Sequence, residues 1–134
     1  MRIISSDQFR LLAEPFLLLG EIENLIRSLI DDRFTSVELR EAQDPAPKGK
    51  EVNTAADLTF GEYIRLLENP ARWQKLDLQI DRQTFCVDLN TVRTIRNEIM
   101  HFEPDDKVSD SLDKLRDFAR LLKDIENIRL LHRN

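Results

Sequence analysis

A helical apolar period recurs in three long stretches of this chain and leaves little room for any fold but an all-α one. Between Asp7 and Ile30, large apolar residues such as Phe9, Leu12, Phe16, Leu19, Ile22 and Ile26 return every three or four positions. Phe85, Leu89, Val92, Ile95, Ile99 and Phe102 mark a second helix over 82–102. Leu112, Leu115, Phe118, Leu122 and Ile125 mark a third, with Ile128 at its edge. Only three glycines and five prolines interrupt the chain, and no stretch alternates as a strand would. Leu11, Leu17, Leu18 and Leu25 widen the first apolar surface beyond one stripe, as in a central helix or one shared with a second subunit.

Shorter helices announce themselves through their ends. Thr35–Glu38 and Thr59–Glu62 both have capping-box spacing, opening helices over 36–43 and 60–67. Asn69 followed by Pro70 reads as the end of one helix and the first turn of another, 70–76. Trp73 on that piece reads as a core residue. Asp81 is placed to cap the second long helix, and Ser109 or Asp110 the third, while Ser5 or Ser6 suits the start of the first. Pro15 lies too deep for a first turn, which predicts a kink or break near Glu14. From 44 to 57 the composition changes to Pro45, Pro47, Lys48, Gly49 and Lys50, the pattern of a mobile, locally basic loop. The expected architecture is a single domain over 1–134: two or three long helices in an up-and-down bundle, crossed by shorter ones.

With 34% charged residues, a net charge of −5 and a sequence pI near 5.1, the chain is not built to coat nucleic acid broadly. No window approaches the ~18 uncharged apolar residues of a membrane span. The start, Arg2 to Asp7, is too short in its apolar part for a secretory signal. One cysteine, Cys86, excludes an internal disulfide and fits a cytoplasmic location; its place by an apolar stripe reads as a buried thiol. No zinc-ligand spacing and no glycine-rich phosphate loop occurs, so neither a metal nor another cofactor is expected. The acidic pairs Asp31–Asp32 and Asp105–Asp106 sit at helix boundaries, where such pairs are usually solvated.

What remains is the segment Arg93 to Pro104, holding one of the two histidines; the other, His132, is three residues from the end. On a helix, Arg93, Asn97 and His101 share a face at four-residue steps. Arg96 is turned about 140° from His101, near the apolar stripe, so it must extend outward or find an acid such as Glu98, Glu103 or one on the last helix. Arg96 and His101 therefore meet only through a distorted helix end, a bent Arg side chain or a second copy of the helix.

Arg96-Asn97-x-x-x-His101 resembles the Arg-polar-x3-His motif of the HEPN superfamily of small all-α domains. The capped run Leu58 to Pro70, with Trp73 beyond it, is similar to bacterial HEPN-like domains found beside CBS modules, and Arg2–Asp7 faintly resembles the end of a CBS repeat, with Ile4 in place of the usual Thr. The resemblance follows most of the chain in helix order, and the six-residue motif is its diagnostic part. It implies a metal-independent endoribonuclease acting on RNA as a homodimer, its motif helices facing each other and giving 2′,3′-cyclic phosphate products. Arg96, Asn97 and His101 would be catalytic and Arg93 would bind substrate. It equally implies a noncatalytic dimerisation or regulatory scaffold, associated with a CBS-type or defence-system partner or forming part of a longer regulatory protein. In family toxins paired with a nucleotidyltransferase antitoxin, a Tyr stands two residues after the motif His; here that position is Glu103, and the only tyrosine is Tyr63.

Overall fold

In the computed structural model, the described residues are 6–43, 51–100 and 107–131. They form six α-helices, α1 (Ser6–Arg33), α2 (Ser36–Ala42), α3 (Phe60–Glu68), α4 (Pro70–Gln74), α5 (Arg82–Met100) and α6 (Lys107–Leu131), with a 3-10 turn at Ala55–Asp57. No strand occurs among the described residues, and the fold is the all-α helical bundle that the apolar period demands. Of the kink or break expected near Glu14, the break does not occur, for α1 is continuous through Pro15. Proline in a helix interior costs about 3 kcal/mol, through one lost backbone hydrogen bond and the clash of its ring with the preceding turn. Pro15 is itself buried, and Leu19, Ile22 and Ile26 follow it into the core, each contributing roughly 1.5–3 kcal/mol of burial. Packing outweighs the local defect. The last helix begins at Lys107, so Ser109 and Asp110 lie within its first turn instead of capping it.

The chain contacts group into two compact units, Ile26–Arg93 and Met1–Leu25 with Thr94–Asn134. In the first, short helices are pinned at their ends. Thr35 and Glu38 exchange hydrogen bonds of 3.0 and 3.3 Å, and Thr59 and Glu62 do the same at 2.8 and 3.2 Å. Asn69 ends α3 and caps α4 by accepting from the backbone N–H of Ala71 and of Arg72. Asp77, at φ 51°, turns the chain after α4 in the left-handed region that Asp tolerates better than most side chains. Of the expected loop, residues 44–50 lie outside the described residues. Residues 51–57 are tied down: Arg40 donates to the Val52 carbonyl, Asp57 accepts from the backbone N–H of Asn53 and Thr54, and Val52 and Ala55 are buried.

Beneath that segment lies a part-buried polar chain. Tyr63, 1% exposed, donates its hydroxyl proton to the Ala55 carbonyl at 2.9 Å and accepts from Arg27 Nε at 3.0 Å. Asp31 accepts from the Ala55 backbone N–H at 2.7 Å, so this acid caps the 3-10 turn. Trp73 is buried against Phe85, ring centres 5.1 Å apart, as a core residue.

In the second unit, α1 and α6 are joined by two ion pairs, Glu14–Arg116 at 2.8 Å and Glu21–Lys123 at 2.6 Å. Each joins positions 102 apart in sequence, and one heptad separates them on either helix, so α1 and α6 run parallel. Leu112, Leu115, Phe118, Leu122 and Ile125 are buried as their spacing requires, whereas Ile128 is 56% exposed.

Candidate functional site

The residues singled out by sequence lie on α5 or just beyond it. Asp81 starts this helix by accepting hydrogen bonds of 2.9 Å from both the backbone N–H and the hydroxyl of Thr84. Phe85, Leu89, Val92 and Ile95 then turn inward, with Ile99 half-buried, which leaves Arg93, Arg96 and Asn97 at the surface. Arg93 and Asn97 lie off the apolar stripe, whereas Arg96, four residues after Val92 and three before Ile99, stands in line with it and is 44% exposed because its long side chain reaches out past the stripe. His101 and Glu103 lie outside the described residues.

Arg93 has a defined seat within the Ile26–Arg93 unit. A methyl group built at Gly61 would stand 3.4 Å from Cζ and Nη2 of Arg93 and 3.7 Å from Nε. The flat guanidinium therefore lies beside the second residue of α3, at a distance where a methyl group on Gly61 would meet it in ordinary van der Waals contact. Glu62, next to Gly61, is buried at 4% exposure and is engaged in the α3 capping box. Gly61 was not anticipated as part of this site. Its one legible signal is a glycine inside an otherwise well-formed helix start.

Arg96 meets a different neighbour from those the sequence offered. Its Nε stands 3.2 Å from Oε1 of Glu23 on α1, with the Arg side chain 44% and the Glu side chain 22% exposed. Only tertiary packing identifies Glu23, which is 73 positions away. A half-exposed pair of this kind is worth about 0–1 kcal/mol, so a phosphate can compete for the guanidinium, whose Nη groups carry the donors beyond Nε. Asn97 is exposed one residue further on.

Competing sites are few. Among the described residues no group of three or more His, Cys, Asp and Glu is arranged to hold a metal ion. Asp31 is used in capping the 3-10 turn, and Asp105–Asp106 lie outside the described residues. Cys86 is buried, and desolvation pushes its thiol pKa up, with the negative charge of Glu68 adding to the effect and Arg82 opposing it. Such a thiol is a poor nucleophile at neutral pH. No helix among the described residues is long and apolar enough to cross a membrane. Compared with known proteins, the chain matches no family model, no curated protein and no solved structure.

Proposed function

We propose that this chain is a HEPN-like domain that cleaves RNA as a cytoplasmic, metal-independent homodimer, with Arg96, Asn97 and His101 as catalytic residues and Arg93 as a substrate-binding residue. The observation that carries the reading is the exposure of Arg93, Arg96 and Asn97 together on α5, in the segment whose sequence runs on to His101. In this mechanism an imidazole, titrating near neutrality, takes the proton from a ribose 2′-hydroxyl. The 2′-oxygen attacks phosphorus, the bond from phosphorus to the 5′-oxygen breaks, and an imidazolium returns a proton to that oxygen. The products are a 2′,3′-cyclic phosphate and a 5′-hydroxyl. Arg96 holds the scissile phosphate and offsets its developing charge, while Asn97 orients the phosphate or the imidazole. Arg93 and Arg96, doubled in a dimer, supply local positive potential in an acidic body.

The test is incubation of wild type, His101→Ala and Arg96→Ala with labelled RNA in EDTA. Wild type should cleave and leave cyclic phosphate ends; both variants should be inactive with unchanged helical circular dichroism. Activity retained in a clean His101→Ala preparation would sink the reading.

One observation favours a second reading, a noncatalytic dimerisation or regulatory scaffold serving a CBS-type, antitoxin or other defence-system partner. The Arg96–Glu23 pair gives Arg96 a structural use without any substrate. Under that reading wild type is inert toward RNA, and Arg96→Ala changes stability only slightly.

A further inference from the structure

Two arginines of the Ile26–Arg93 unit border one space and have no acid to hold them. Arg82 donates to the Glu68 carbonyl at 2.7 Å, and Arg93 lies beside Gly61, so α3 and α5 run antiparallel. The side-chain direction of Gly61 points at the Arg93 guanidinium, and Arg65 leaves α3 from the same face one turn later. The Cβ positions of residues 61 and 65 are about 5–6 Å apart, and helical side chains lean back toward the N-terminus. The stem of Arg65 is thereby directed toward the space that Arg93 borders. Both arginines are exposed, and among the described residues neither is in an ion pair or a side-chain hydrogen bond.

That is unusual for this chain. Its net charge is −5, and Arg72, Lys75, Arg96, Arg116, Lys123 and Arg129 all meet carboxylates. The acids closest to Arg65 in sequence are otherwise placed. Glu62 is buried, and its Oε1 accepts from the Thr59 backbone N–H at 2.8 Å. Glu68 is exposed three residues beyond Arg65, yet no ion pair joins them. An acid at position 61 would stabilise the fold, for it would stand in the first turn of α3, four residues before Arg65 and beside Arg93. Glycine occupies the position instead, at some loss of helix propensity. Two adjacent guanidiniums without a carboxylate between them form a receptor for an anion from outside.

We infer that Arg65 and Arg93 together hold a backbone phosphate of single-stranded RNA, the next along the strand from the phosphate at Arg96. Arg93 and Arg96 are three residues apart on α5 and so are neighbours on its surface. A strand held at Arg96 therefore carries its adjacent phosphate to the pair, where two planar forks can grip the oxygens. The inference rests on the proposed function for its ligand and deepens it, adding Arg65 from α3 to the site and giving Arg93 a partner.

The probe is a short fluorescent single-stranded RNA with 2′-O-methyl riboses, which lacks the attacking hydroxyl and is not cleaved. Wild type should bind it, with log K falling as log salt rises. Arg65→Gln should weaken binding about tenfold at low salt and reduce that slope by about 0.7, the loss of one phosphate contact. Gly61→Glu should weaken binding further without lowering the unfolding midpoint, because its carboxylate engages both arginines. Lost binding is thereby separated from a lost fold. Arg120→Gln, which removes an exposed cation of α6, should change neither affinity nor slope. A wild type that does not bind the probe, or binding indifferent to Arg65→Gln or Gly61→Glu, overturns the inference. So does an effect of Arg120→Gln as large as that of Arg65→Gln, which would mean that only total charge is felt. Cleavage of unmodified RNA is scored separately: binding that depends on Arg65 without cleavage keeps this site and removes the nuclease reading, and cleavage with binding indifferent to Arg65 does the reverse.

Discussion

Between Ile26 and Arg93, short helices are fixed by capping boxes and by a polar chain under Ala55 that draws on Arg27 and Asp31 of α1, whereas α1 and α6 are tied to each other by half-exposed ion pairs while an apolar stripe does most of the holding. The reason is length. α2, α3 and α4 have seven, nine and five residues, too few to be stable alone, so each end needs its own partner. α1 and α6 have 28 and 25 residues, and over such a length a repeating stripe fixes rotation while end effects become small. Burial also changes what a polar contact is worth. Tyr63 and Ala55 have no water to fall back on; Glu14 and Arg116 do.

That contrast is open to breakage at three levels. The largest effects belong to apolar truncations, and there the two units should behave alike. Phe85→Ala in one and Leu115→Ala in the other, both at 0% exposure, should each cost about 3–5 kcal/mol in urea unfolding followed by circular dichroism. A loss under 1 kcal/mol at either position would mean that its core is not packed as described. Tyr63→Phe comes next, at roughly 1–3 kcal/mol, because it removes the acceptor of Arg27 Nε and leaves the Ala55 carbonyl with the Leu58 N–H as its remaining donor. Hydrogen exchange should place the loosening at 51–58; a neutral substitution would show that the buried polar chain is incidental. The smallest effect is expected for Arg116→Ala and Lys123→Ala. Neither should move the unfolding midpoint measurably at physiological salt, and any difference should grow as salt is lowered. A large loss in either would show that the surface ladder, not the stripe, aligns α1 with α6.

Much of this was readable before any coordinates. Thr35, Thr59, Asn69 and Asp81 act where their spacing to Glu38, Glu62, Pro70 and Thr84 put them, since a cap is a contact within one turn of chain. Trp73, Phe85 and Cys86 are buried where the apolar stripes placed them. Reading failed where a local rule met a tertiary one. Pro15 signalled a kink or a break, and burial of its own helix overrides the break. The run 51–57 read as loose loop because its anchors, Arg40, Asp31 and Tyr63, lie 12, 24 and 8 positions from their partners. The candidate site divides in the same way. That Arg93 and Asn97 face outward followed from the stripe on α5, and Arg96, close to that stripe, was expected to extend outward or find an acid; no pattern near it pointed to Glu23, and none near Arg93 to Gly61.

The sequence by itself determined an all-α chain, the ends of its short helices and the surface position of Arg93 and Asn97, because periodicity and capping act over one or two turns. Only the tertiary structure decided that Pro15 is absorbed, that α1 and α6 run parallel, and that Arg96 rests on Glu23 while Arg93 lies across Gly61. Those outcomes depend on which distant side chains packing brings together, and no local rule carries that information.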